Sequence, residues 1–147
     1  MFASYSRLVG ARALLKGAMS ATGSVGIMLV EDHAAFREAL AFLLSRDPEL
    51  EVVAQAGSLA EARERIEALP DECLDVAVLD LGLPDGDGRE LIGRLRRSNP
   101  GASVMVLSAT IEAGHTEEVL RAGADAVLEK VEAPRAIAEE VRRLASG

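Results

Sequence analysis

Four short apolar runs in this chain each lead into a polar residue, and that repetition constrains the fold more than any other feature. Ile27-Met28-Leu29-Val30 leads into Glu31-Asp32, and Val76-Ala77-Val78-Leu79 leads into Asp80. Val104-Met105-Val106-Leu107 leads into Ser108, and Ala126-Val127-Leu128-Glu129 leads into Lys130. Runs this short and this apolar read as strands buried on both faces. Strands are expected at Gly26 to Val30, Asp75 to Leu79, Ser103 to Leu107 and Asp125 to Leu128, with a weaker one at Glu51 to Gln55.

Between the runs the apolar spacing becomes helical. Phe36, Leu40, Leu43 and Leu44 share one face, and Asp47-Pro48 closes that helix because proline cannot continue it. Ser58 with Glu61 three residues on has the form of a capping box, for a helix reaching Leu69 before Pro70. The turn formers Gly82, Pro84, Gly86 and Gly88 follow the third strand. Helical spacing returns at Leu91, Ile92 and Leu95 and stops near Asn99-Pro100-Gly101. Glu112 to Ala122 predicts a helix closed by Gly123, a residue suited to a left-handed cap. Pro134 fits the first turn of a last helix with the stripe Ile137, Val141 and Leu144. Strands alternating with helices in this way imply one α/β domain, a parallel sheet covered on both faces by right-handed crossovers.

A chain of 147 residues can bury a core, and with no Trp, one Tyr and three Phe that core is aliphatic. The net charge of -8 argues against direct nucleic-acid binding, which needs a basic surface. The single cysteine, Cys73, excludes an intrachain disulfide and a cysteine zinc site, and reads as a small residue near a strand start. No stretch approaches the roughly 18 apolar residues of a membrane span. The charge is uneven. Residues 1–30 hold no acid but carry Arg7, Arg12 and Lys16, so the remainder sets 13 basic residues against all 24 acids. Residues 1–24 therefore read as a basic N-terminal extension, apart from a domain at 25–147. Phe2, Tyr5, Leu8, Leu14 and Leu15 beside three cations would suit an amphipathic helix at a membrane surface. A disordered leader, or a stretch upstream of a natural start at Met19, is the simpler expectation. No function is assigned to the segment.

Ligands of open α/β sheets bind outside the carboxyl ends of the strands, where the four polar endings fall. Glu31, Asp32 and Asp80 would crowd three negative charges there, a costly arrangement unless a cation neutralises it. Mg²⁺ suits a few carboxylates together with waters and phosphate oxygens. A carboxylate at the centre of such a site can attack a phosphoryl group and form an aspartyl-phosphate. Lys130 would share the neutralisation, and Ser108 could donate a hydrogen bond to a phosphoryl oxygen.

The chain resembles the receiver domains of bacterial two-component response regulators, the CheY-like family. Val30-Glu31-Asp32-His33 is similar to the acidic pair after the family's first strand. The stretch from Asp80 through Leu83, Pro84 and Asp85 to Gly88 resembles the loop around its phosphoacceptor. Leu107-Ser108-Ala109 resembles its hydroxyl switch motif, and Ala122-Gly123-Ala124-Asp125 with Lys130 resembles the approach to its lysine. The match runs from about Gly26 to Leu144.

The resemblance implies a flavodoxin-like (βα)5 doubly wound sheet with strand order 2-1-3-4-5. It implies that Asp80 accepts the phosphoryl group and ligates Mg²⁺ together with Asp32 and the carbonyl of Gly82, Glu31 acting largely through water. Ser108 would follow the phosphoryl group, and Lys130 would pair with Asp80 before phosphorylation and with the phosphoryl group after it. The implied partners are a histidine kinase or histidine phosphotransfer protein and a homodimer formed on phosphorylation. The implied location is cytoplasmic, and the implied activity is that of a switch, not a conventional enzyme. Many relatives carry an aromatic residue three before the lysine, where this chain has Val127, so a coupled ring rotation is not implied. Val131 replaces a common proline, so no cis peptide is implied there. The variant is most similar to regulators that join a helix-turn-helix output domain.

Taken singly, Asp32 would serve as a helix cap, Asp80 as a turn residue, Ser108 as a cap hydroxyl and Lys130 as a solvated cation. Their coincidence at matching strand ends favours the site. His33 and His115 do not form a metal pair by spacing and read as surface residues, while Gly82 and Thr110 lie where the family tunes acyl-phosphate hydrolysis. An aspartate-nucleophile phosphohydrolase is the enzymatic alternative, although such enzymes usually carry a second acid where this chain has Gly82. A phosphorylation-independent interaction module is the third.

Overall fold

The computed structural model describes residues 24–109, 113–131 and 134–146. The extension expected at 1–24 lies outside the described residues except for Ser24, and Thr110 and Glu112 lie outside them too. The strands are β1 (Val25–Val30), β2 (Leu50–Ala56), β3 (Val76–Asp80), β4 (Gly82–Leu83), β5 (Gly86–Asp87), β6 (Ser103–Ser108) and β7 (Ala126–Glu129). The helices are α1 (Ala34–Ser45), α2 (Leu59–Ala68), α3 (Arg89–Ser98), α4 (Ala113–Arg121) and α5 (Pro134–Ser146).

The main sheet runs β2-β1-β3-β6-β7, every described pairing parallel. With the hairpin β4-β5 set aside, this is the expected order 2-1-3-4-5. The hairpin was not anticipated as strand. Its two-residue arms pair Gly82 with Asp87 and Leu83 with Gly86, an antiparallel turn built from the glycine-rich loop after β3.

Period-two alternation on the buried strands splits the core in two. Ile27, Leu29, Val76, Val78, Met105 and Leu107 face α1 and α5, where Leu40, Leu44, Ile137 and Val141 are buried. Met28, Val30, Ala77, Leu79, Val104 and Val106 face α2, α3 and α4, meeting Leu59, Ile66, Leu91, Ile92, Leu95 and Val119. The three central strands are therefore buried almost throughout, whereas β7 is only half-buried at all four positions. Val127, where a switch aromatic was missing, packs against the second of these cores.

Two aspartates account for a one-residue shift of expected strand starts. Asp75 and Asp125 stand just before β3 and β7 instead of inside them. Each carboxylate accepts from a neighbouring strand, Asp75 from the Gly26 amide at 2.8 Å and Asp125 from the Val104 amide at 2.7 Å. Arg96 adds a second tie at that end. Its guanidinium donates to the carbonyls of Gly123 and Ala102 and to Asp125, joining α3 to the turns before β6 and β7. Gly123 closes α4 at φ 117°, the left-handed conformation expected of it.

Candidate functional site

Parallel register carries the polar residues to one edge. Asp80 is level with Leu107, and Ser108 is level with Glu129, so Lys130 emerges one residue further on. The Lys130 amide donates to the Ser108 carbonyl at 2.7 Å, which extends the β6–β7 pairing into the site. Among the described residues the buried polar or charged ones are Ser24, Glu31, Asp80 and Ser108, and the last three all belong to this edge. Burying polar groups is costly, so their concentration here marks a site.

Lys130 sits among the acids. Its Nζ stands 2.8 Å from Glu31 Oε1, 2.9 Å from Glu31 Oε2 and 3.3 Å from Asp80 Oδ2. Its expected partner was Asp80, but its shorter contacts are with Glu31. Glu31 is 3% exposed and binds the lysine directly. The His33 amide also donates to Oε2 at 2.9 Å, whereas Oε1, although in the ion pair, receives no directed hydrogen bond.

Burial pushes the Glu31 carboxyl up to about 7, against the opposing pull of the Lys130 and His33 hydrogen bonds. Asp32 is exposed, and its hydrogen bond with Glu31 holds it below the usual carboxylate range. Burial works against the Lys130 charge, yet its bond to Glu31 and the charge of Asp80 outweigh that and raise its pKa. Two neighbouring acids are thus driven in opposite directions, one toward holding a proton and one toward remaining ionised.

The backbone holds this arrangement in shape. Arg37 on α1 donates from Nη1 to the Glu31 carbonyl at 2.6 Å, anchoring the turn that carries both acids. The Gly82 amide donates to Asp80 Oδ1 at 3.0 Å and fixes the carboxylate rotamer. Gly88 lies against the other side: a Cβ there would stand 2.6 Å from the Asp80 carbonyl oxygen. The hairpin is fastened in turn to α2, since Asp85 accepts from the amides of Leu59 and Ala60 at 2.7 and 3.0 Å.

Asp32, Asp80, Gly82, Ser108 and Lys130 open onto one cleft of about 440 Å³. The expected site residues converge there, with Glu31 buried immediately behind through its contact with Lys130. The site also includes two residues expected at the surface alone. His33 and His115 line the same cleft, and His33 Nδ1 lies 3.5 Å from Lys130 Nζ. His33, not Asp32, takes the cap position of α1, and it makes no side-chain capping bond. Spacing could not have paired His115 with the acids, because it arrives on a different helix.

The donor set fits a hard divalent cation. Glu31, Asp32 and His33 can each offer a ligand atom within 4.8 Å of the others. Oxygen-rich sets of this kind favour Mg²⁺ over softer metals.

An acid-lined cleft at the carboxyl edge of a doubly wound parallel sheet, with a lysine among its carboxylates, defines a phosphoryl-handling α/β module. The chain belongs to the response regulator receiver domain family, whose model matches residues 27–142. It is 37% identical over 123 residues to the DNA-binding transcriptional activator DevR/DosR of Mycobacterium tuberculosis, covering 84% of this chain and 55% of that protein. It is 33% identical to the transcriptional regulatory protein UhpA of Salmonella typhimurium, covering 84% and 60%. The chain thus spans little more than half the length of these relatives. Its fold is similar to that of a CheY-like receiver domain protein from Methanospirillum hungatei JF-1, with a TM-score of 0.72, 25% identity and coverage of 84% and 94%. The chain is a two-component receiver, and among the described residues no helix is long and apolar enough to cross a membrane.

Proposed function

We propose that Asp80 is the phosphoacceptor of this receiver, with Asp32, Asp80 and the Gly82 carbonyl holding Mg²⁺ and Glu31 backing them. The observation that carries this reading is the placement of Asp80: buried, held by the Gly82 amide, within 3.3 Å of the Lys130 ammonium and open to the cleft. The donor is a phosphohistidine on a histidine kinase or phosphotransfer protein. An Asp80 oxygen forms the new P–O bond, the donor P–N bond breaks, and the imidazole leaves with its electron pair. Bound Mg²⁺ supplies charge neutralisation at the phosphoryl oxygens.

Lys130 then has a second anion to serve. Phosphorylation adds negative charge and acceptor oxygens, which draw its Nζ from Glu31 and the Ser108 hydroxyl inward. That shift changes the surface around α4, β7 and α5, where a homodimer or an output partner would read it. A cytoplasmic location beside its kinase belongs to the same reading, and a transcriptional output is supported by the names of its relatives.

Incubation with a small-molecule phosphodonor and Mg²⁺, read by intact mass, tests the assignment. One phosphoryl group per chain is expected on the wild type and none on Asp80→Asn. Equal uptake by the two proteins would move the acceptor elsewhere.

A further inference from the structure

Phe36 stands where the buried stripe of α1 meets the cleft. Phe36, Leu40 and Leu44 follow one another at four-residue spacing, which places them on one face of the helix. Leu40 and Leu44 are buried in the core shared with α5, whereas Phe36 packs against that core and stays half-buried. A leucine would complete this stripe as well as a phenylalanine does. The ring, however, has a second neighbour. Lys130 Nζ lies over it, 5.8 Å from the centroid, within the roughly 6 Å over which a ring face attracts a cation.

That contact completes the surroundings of the ammonium. Glu31 Oε1 and Asp80 Oδ2 stand 2.8 and 3.3 Å from Nζ, and His33 Nδ1 stands 3.5 Å from it. Glu31, His33 and Phe36 all belong to the turn after β1 or the first turn of α1, which Arg37 ties to the Glu31 carbonyl. The lysine needs such a hold, because it leaves the half-buried edge strand β7 on a flexible four-carbon stem. A third carboxylate would hold the ammonium too, but would also neutralise it. A ring face attracts the cation and leaves its full charge for phosphoryl oxygens.

We propose that Phe36 is a positioning residue for phosphoryl transfer, its ring holding the Lys130 ammonium beside Asp80. The inference rests on Asp80 being the acceptor. The bonds made and broken are those of the transfer to Asp80, and the ring acts on them only through the lysine.

The test compares initial rates of phosphoryl uptake from a small-molecule donor with Mg²⁺, read by intact mass. Phe36→Leu keeps an apolar side chain on the stripe and should react roughly threefold more slowly than wild type, the factor expected for one partly exposed cation–π contact. Phe36→Tyr keeps the ring and should stay within about 1.5-fold of wild type. A Leu variant at the wild-type rate, or a Tyr variant as slow as Leu, overturns the inference. Urea unfolding of Phe36→Leu, Lys130→Met and the double variant separates the contact from mere packing. The double variant should unfold with an equilibrium constant roughly threefold below the product of the two single effects. Strictly additive effects overturn the inference as well. This cycle uses no phosphoryl donor, so it reads the ring and lysine independently of the acceptor. A wild type that takes up no phosphoryl group, or takes it up without Asp80, instead overturns the assignment of the acceptor. Where Phe36→Leu does not fold, Phe36→Met replaces it in both measurements with the same expectations.

Discussion

Lys130 and Glu31, 99 residues apart in sequence, form an ion pair of 2.8 Å at the edge of the sheet, while the lysine lies 3.3 Å from Asp80. The lysine is therefore held mainly by an acid other than Asp80, the proposed acceptor. Glu31 and Asp80 compete for the same ammonium.

Removing the lysine exposes that dependence. Lys130→Ala leaves Glu31 buried without a counter-charge and should cost roughly 2–4 kcal/mol at pH 8, less where Glu31 can take up a proton. The double variant with Glu31→Gln should recover at least half of the loss. Urea denaturation of all four proteins gives the coupling energy, and strictly additive effects would contradict the pairing.

The pH dependence of stability follows from the same carboxyl. Burial raises Glu31 from 4.5 to about 7, so the folded protein binds that proton more tightly than the unfolded chain does. The contribution is fully present below pH 4.5 and is lost as pH rises through about 7. On the order of 3 kcal/mol is its ceiling. In a chelator, the urea midpoint should fall between about pH 5 and about pH 8, and Glu31→Gln should flatten that slope.

Two glycines beside Asp80 should respond differently to the same change. At Gly88 an added Cβ meets the Asp80 carbonyl oxygen at 2.6 Å and Leu81 Cα at 3.0 Å, both backbone atoms with little freedom to move. Gly88→Ala should cost about 1–3 kcal/mol and slow phosphoryl uptake. At Gly82 the nearest atom would be 3.8 Å away, so Gly82→Ala should leave the thermal midpoint near wild type. A thermal melt and the intact-mass assay distinguish the pair.

Asp85 fastens the loop after Asp80 to α2 through two amide hydrogen bonds, and Gly86 beside it lies so close to Leu59 that a Cβ would stand 2.7 Å from Cδ2. Asp85→Ala should free the start of α2. Hydrogen exchange at the amides of Leu59 and Ala60 should quicken roughly tenfold, with the sheet unaffected. Unchanged exchange would show that Ser58 alone holds the helix.

Strand order, helix stripes and the convergence of Glu31, Asp80, Ser108 and Lys130 were legible because they follow from periodicity and from polar residues at the ends of apolar runs. The capping box was legible too: the Glu61 amide donates to Ser58 Oγ at 3.1 Å, although Glu61 returns its bond to the Gly57 amide instead of that of Ser58. Contacts between distant segments left no local trace. Nothing in the sequence marked Arg96 or Asp85 as a tie between elements, yet each bonds backbone groups brought near only by the fold. His115 read as a surface residue for the same reason. Which acid holds the lysine was hidden as well, because relative burial decides it.

The four half-buried residues of β7 have a mechanical consequence. Asp80 is carried by β3, which has a packed layer on each side and a strand at each edge, whereas Lys130 leaves the outermost strand, where packing is thinnest. A new charge on Asp80 would pull against a rigid centre and a thinly packed rim, and the displacement would go to the rim. With Val127 offering no ring to swing, deformation at that edge would be the message a partner feels.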